Sequence, residues 1–386
     1  MSRSLFFERA FRSFFLGGAI FAVIAMALWW WQFPNVSAGF SGTSGVYWHA
    51  HEMIFGYALA TVTGFLLTAV MNWSRMNSAS GWKLGVLFGL WVLARVAFLV
   101  DLPIIWVALF DLAFNLGLVL HFAWPVWKRR LTSQAGLALL FGAIFFANLS
   151  FYINAHQAWI WLHESLIIGL FLVLSINLTM IRRLTPFFTE KALGLTPFKN
   201  ADWLDRSILV GFLSLMLTVV FSPYPWLISL IAWPLAGLFM IRQAWWYHPK
   251  IWSELLIWPL HLSHAFITLG LVLYGFVGLE WVAASLAIHA LAAGGIGLLC
   301  SSMMARISLG HTQRNVFEPP KGLIWVFVAL ALAAFTRVVL PLIWPELSLI
   351  WIQLSQLGWI FGFGLLLVLY WRILTRPSLK APGLVL

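Results

Sequence analysis

The stretch VYWHAHEMIFGYALATVTGFLL, residues 46–67, is apolar except for its first turn, which carries His49, His51 and Glu52. Other imidazoles also sit in apolar runs: His163 beside Glu164, His261 and His264 at i, i+3, and His289. His261 and His264 share one helix face, so they serve one centre, or give one ligand and one supporting group. His49 and His51 are two apart, about 200° around a regular helix. They share a metal only if His49 precedes the helix proper, which the glycines Gly39, Gly42 and Gly45 allow. Neutral imidazole is a common ligand for heme iron and copper. A lone histidine on an apolar face is more often a hydrogen-bonded core residue; the set as a whole points to a redox metal. Glu52 and Glu164, each beside a His, are candidate proton carriers. Either has a structural alternative: pairing with a buried arginine, or holding a ligand ring in place.

Two arginines stand in apolar runs, Arg95 in ARVAFLVDLP and Arg337 in TRVVLPLIWPE, each followed by Pro. An unpaired intramembrane Arg is costly. Glu52, Asp101, Asp111, Glu164 and Glu280 are the acidic residues at similar depth. Two Arg at matched depth suggest an anion site. Heme propionates suit it, since a guanidinium fork fits a carboxylate in two bonds.

The elements that must position these groups follow from composition. The chain has 386 residues, 62% hydrophobic and only 9% charged, with mean hydropathy +0.93. A water-soluble domain needs about a quarter charged residues, whereas runs of ~20 apolar residues cross a bilayer. The expected fold is therefore all-α: a polytopic membrane protein forming a single transmembrane domain over residues 1–386. The twelve expected helices fall at about 14–33, 48–71, 82–101, 103–125, 135–155, 158–181, 203–221, 226–246, 252–276, 281–304, 322–343 and 348–372. On these boundaries the six histidines gather towards one side, with His261 and His264 near mid-span and His264 level with His289. His121 reads as a bonded core imidazole; His156, His248 and His311 sit at span ends or loops. The first run, after Arg3, Arg9 and Arg12, is longer than a signal-peptide core, and VSA at 36–38 is a weak cleavage site. It reads as an uncleaved first span.

Net charge is +11, but its placement argues for topology rather than nucleic acid. All Lys and Arg except Arg95 and Arg337 lie in the tails and in alternate loops, and the other loops carry none. Cytoplasmic loops are the Lys/Arg-rich ones. Both termini are thus expected in the cytoplasm, with the cation-free loops facing the periplasm of a bacterial inner membrane. The single cysteine, Cys300, excludes an intrachain disulfide and any multi-Cys metal site.

At WHAHEMIFGYALATVTGFLLTAVMNW the sequence resembles the NnrS family of nitric-oxide-response membrane proteins. IRRLTPFFT, WPLHLSHAF and HALAAGGIGLLCSSMMARISLGHTQR agree with it. The resemblance implies a protein containing heme b and copper, linked to nitric oxide metabolism and relief of nitrosative stress. It carries over onto His49, His51, Glu52, His261 and His289; His264 departs from the family pattern, and His163 rests on depth alone.

The expected chemistry is reduction of two NO to N₂O, with an electron donor, a quinol or redox protein, that the sequence does not reveal. The alternatives are a heme protein that binds or senses NO, and a secondary transporter, for which no repeat beyond the Arg-Pro echo is visible.

Overall fold

The computed structural model describes residues 5–33, 39–157 and 161–379. The Val36–Ala38 stretch considered as a cleavage site lies outside the described residues. Among the described residues twelve helices are long and apolar enough to cross a membrane. They are α1 Ala10–Gln32, α2 Gly45–Ser74, α3 Trp82–Leu99, α4 Ile104–Lys128, α5 Thr132–His156 and α6 Leu162–Leu193. After them come α7 Asp202–Phe221, α8 Trp226–Trp245, α9 Trp258–Val277, α10 Ala284–His311, α11 Leu323–Ile343 and α12 Pro345–Thr375. The all-helical reading holds. In hydrocarbon every backbone N–H and C=O needs an internal partner, and a helix supplies all of them within one segment.

Among the boundaries that differ from expectation, three have a plain physical reason or consequence. Span nine begins at Trp258, not near 252, because Pro249–Ser253 forms a separate 3₁₀ turn and Pro259 occupies the first helical turn. That turn is where proline's missing N–H costs nothing. Span six runs on past Arg182 and Arg183 to Leu193 as one helix of 32 residues. Span two begins at Gly45, with the Ser44 side chain accepting from the Tyr47 amide as an N-cap.

Packing divides the helices into two compact units. One contains α1–α5, α6 up to Val173, residues 304–316 and residues 366–379. In it α1 lies on α2, α3 on α4, α4 on both α2 and α5. Arg12, 2% exposed, donates to the carbonyls of Leu374 (2.9 Å) and Arg376 (2.8 Å). A cation thus satisfies the last carbonyls of α12. The other unit spans residues 174–303 and 317–365. There α8 packs on α7 and α9, α9 on α10, and α10 on α11.

α2 and α10 share an irregularity. Each leaves α-helical geometry just after a histidine, with π-helical stretches at Glu52–Ala58 and Ala290–Gly297. Such insertions are frequent at functional sites.

Candidate functional site

His49 and His51 both lie inside the first α-helical segment of α2, Gly45–His51. His49 does not precede the helix, so the two rings diverge. The His49 ring stacks on Trp29 of α1, with centroids 4.6 Å apart and planes 9° apart. The His51 ring turns inward against Phe55, Phe98, Phe151 and Tyr152.

His51 belongs to a closed ion network. Its Nδ1 lies 2.9 Å from Glu52 Oε1, and its Nε2 lies 2.9 Å from Asn148 Oδ1. Asn148 Nδ2 donates to Asp111 Oδ2 at 2.7 Å, which turns its oxygen to His51; Nε2 therefore carries a proton. Arg95 bridges the two carboxylates, Nε to Glu52 Oε2 at 2.9 Å and Nη2 to Asp111 Oδ1 at 2.5 Å. The Tyr152 hydroxyl donates to Asp111 Oδ2 at 3.1 Å. None of these side chains is more than 3% exposed.

Each charge in this network is compensated. Arg95 offsets Asp111, and one further proton sits on either His51 Nδ1 or Glu52 Oε1. In both placements the group is neutral overall, which is how buried charge is tolerated. Gly56 makes room for it: a Cβ there would meet Arg95 Nη1 at 3.1 Å and press into Phe21. Trp91 Nε1 donates to the Gly56 carbonyl at 3.0 Å.

His163 and Glu164, in the first turn of α6, are not joined to this network by any hydrogen bond or ion pair among the described residues. His163 is exposed, and Glu164 Oε2 is buried with no hydrogen-bond partner among the described residues.

The second constellation is in the other unit. His261 and His264 lie in the first two turns of α9, next to the basic loop, rather than at mid-span, because α9 starts at Trp258. Thr189 donates its hydroxyl to Thr185 O at 2.8 Å. Its oxygen therefore accepts from His261 Nε2, 2.9 Å away. Gln243 donates its amide to His261 O at 3.4 Å, and its Oε1 accepts from His264 Nδ1 at 3.1 Å. His264 Nε2 thus carries a lone pair. It is buried with no hydrogen-bond partner among the described residues. Phe239 and Trp246 flank the ring at 5.2 and 6.0 Å. The same two aromatics flank Arg242, which donates to Asp205 Oδ1 at 2.6 Å. Arg182 also binds Asp205.

His289 is part-buried on α10, and its Nδ1–H donates to Ser285 O at 2.7 Å. It is not level with His264. Ser263 Oγ donates to Gly295 O at 2.9 Å, and Gly295 is six residues from His289, roughly 9 Å of helix. Arg337 is part-buried on α11 and makes no ion pair among the described residues. Arg95, its expected counterpart as a propionate ligand, already holds two carboxylates.

A family model described as NnrS protein matches residues 5–378, nearly the whole chain. The chain belongs to the NnrS family. No curated protein matches it. As an NnrS chain it carries an intramembrane polar network in one unit and a histidine pair in the other. Among the described residues no three of His, Cys, Asp and Glu are grouped to hold a metal ion. The set His49, His51 and His163 is not assembled: one ring is stacked, one is bonded at both nitrogens, and one is exposed. Heme needs only one imidazole lone pair, and His264 Nε2 meets that requirement: an orphaned buried acceptor whose other nitrogen is fixed by a side-chain amide.

Sequence reasoning had Asp111 and Glu52 only as two of five acidic candidates for Arg95 and Arg337; the structure selects them for Arg95. Sequence reasoning missed Asn148, Tyr152, Thr189 and Gln243. The signal available was a polar residue inside an apolar run, as in FFANLSFYINAH, but the partner depends on helix rotation.

Proposed function

We propose that this chain is a heme-bearing protein of the bacterial inner membrane, with both termini cytoplasmic, that reduces nitric oxide to nitrous oxide. The observation that carries the reading is His264: a buried ring with Nδ1–H held by Gln243 and Nε2 without a partner among the described residues. When bound, heme supplies an iron that takes NO. The protein's own part is to hold the His264 ring in one orientation and to keep water off it with Phe239 and Trp246.

The balance is two NO, two electrons and two protons to one N₂O and one water. Electrons come from a membrane quinol or a redox protein. Protons need a carrier inside the apolar core, and the His51–Glu52 pair suits that role. The proton shared across the 2.9 Å contact can sit on His51 Nδ1 or Glu52 Oε1 with the buried network neutral in both placements, a property a carrier in the apolar core needs. A second reading, a protein that binds or senses NO without turning it over, is favoured by the lack of a three-ligand group among the described residues.

The deciding experiment is anaerobic incubation of the purified, reduced protein with NO. The expected outcome is one N₂O per two NO consumed. NO binding seen optically, with no N₂O formed, selects the second reading.

A further inference from the structure

α1–α4 and α9–α12 share a sequence of structural relationships that composition does not require. In α2 the π-helical stretch begins after His51; in α10 it begins after His289. Five residues on from each histidine is a glycine, Gly56 and Gly294. Each is pressed by a phenylalanine of the preceding helix of its set, Phe21 of α1 and Phe266 of α9. The next helix carries the intramembrane arginine, Arg95 on α3 and Arg337 on α11. A glycine of the following helix approaches the chain a turn or two before each arginine: Gly117 of α4 faces Leu87, eight residues before Arg95, and Gly358 of α12 faces Ala333 and Ala329, four and eight residues before Arg337. Small residues at such crossings let helices approach closely.

The two copies differ where charge is concerned. In the first, Arg95 is neutralised by Glu52, the residue after His51, and by Asp111, sixteen residues beyond the arginine. Counted from the histidine and the arginine, the matching positions in the second are Ala290 and Gln353; counted back from the paired glycines Gly117 and Gly358, Asp111 matches Ile352; all three are uncharged. Arg337 keeps its place on α11, which packs against the π-helical part of α10, and makes no ion pair among the described residues. An arginine within a span needs an anion.

We propose that α9–α12 duplicate the motif of α1–α4, and that Arg337 in the second copy binds a carboxylate from a ligand where the first copy supplies its own. Such a carboxylate comes either from a heme propionate or from a fatty acid or lipid. The site does not depend on the nitric oxide reading, because a chain that never takes up heme still tests it through the second source.

The test uses the purified full-length chain with two probes, hemin and laurate, measured as ligand bound per chain. Ala290→Glu restores the first copy's carboxylate beside Arg337 and is expected to displace the ligand at least tenfold. Arg337→Gln is expected to lose it to the same degree, with Arg337→Lys intermediate. If Ala290→Glu does not elute as a single species, Arg337→Gln decides alone. Loss confined to hemin assigns a propionate, and loss confined to laurate assigns a fatty-acid or lipid carboxylate; both support the site. Wild-type binding of both probes by Arg337→Gln, or a wild-type chain that binds neither, overturns it.

Discussion

His264 Nδ1 lies 3.1 Å from Gln243 Oε1, and this single contact fixes which nitrogen of a buried ring is left to bind something else. The Gln243 amide is itself committed to the His261 carbonyl, so the oxygen cannot turn away. Supporting hydrogen bonds of this kind typically change metal affinity 10–100-fold when removed. Gln243→Leu is therefore expected to weaken heme binding by about that factor. Hemin titration of the purified variant measures it; unaltered affinity would leave Gln243 without this role.

Arg95 sits between Glu52 and Asp111 at 2.9 and 2.5 Å. Removing one partner of a buried ion group costs about 3–5 kcal/mol, because charge is left uncompensated. Arg95→Leu should destabilise by about that amount. The triple change Arg95→Leu, Glu52→Gln, Asp111→Asn should recover much of the loss. Denaturant unfolding in detergent micelles reads both; equal destabilisation of the two variants would show that charge balance is not what holds the network.

Glu52 Oε1 lies 2.9 Å from His51 Nδ1. In Glu52→Gln the amide keeps the volume but cannot take up a proton. Proton transfer by a positioned side chain contributes typically 10²–10⁴-fold. N₂O formation is expected to fall at least tenfold, while heme content and the NO-bound spectrum stay as in the wild type. A variant as fast as the wild type would remove the pair from the proton route.

Gly56 and Gly89 offer a matched comparison. A Cβ at Gly56 meets Phe21 and Arg95, whereas at Gly89 nothing lies within 4 Å. Overpacking costs about 1–3 kcal/mol, so Gly56→Ala should lower the thermal midpoint. Gly89→Ala should leave it unchanged or raise it through helix propensity. Similar midpoints for the two would mean that the close approach at Gly56 relaxes freely.

The twelve spans were legible because run length and hydropathy are properties of the chain alone. The depth of His264 was not. It hinged on whether α9 starts before or after Pro259, and the 3₁₀ turn at Pro249–Ser253 reads as part of the same apolar run. That Arg95 needs an anion was legible, since an intramembrane cation demands one, but Glu52 and Asp111 were only two of five acidic candidates at similar depth. Asn148, which orients His51, was not legible: choosing it needs the rotation of α5, and an apolar helix surrounded by lipid and protein carries little periodic signal. The π-helical stretches break the 3.6-residue period and so escape any reading based on it. With them the likeness of α2 to α10 escaped too, leaving only the Arg-Pro echo visible.

The central claim is that the His264 Nε2 lone pair binds heme iron. The most direct measurement is the optical spectrum and heme content of purified His264→Ala beside the wild type and His121→Ala. Loss of the heme absorption band in His264→Ala, with His121→Ala unchanged, is the predicted result. A full heme complement and an unshifted band in His264→Ala would contradict the account.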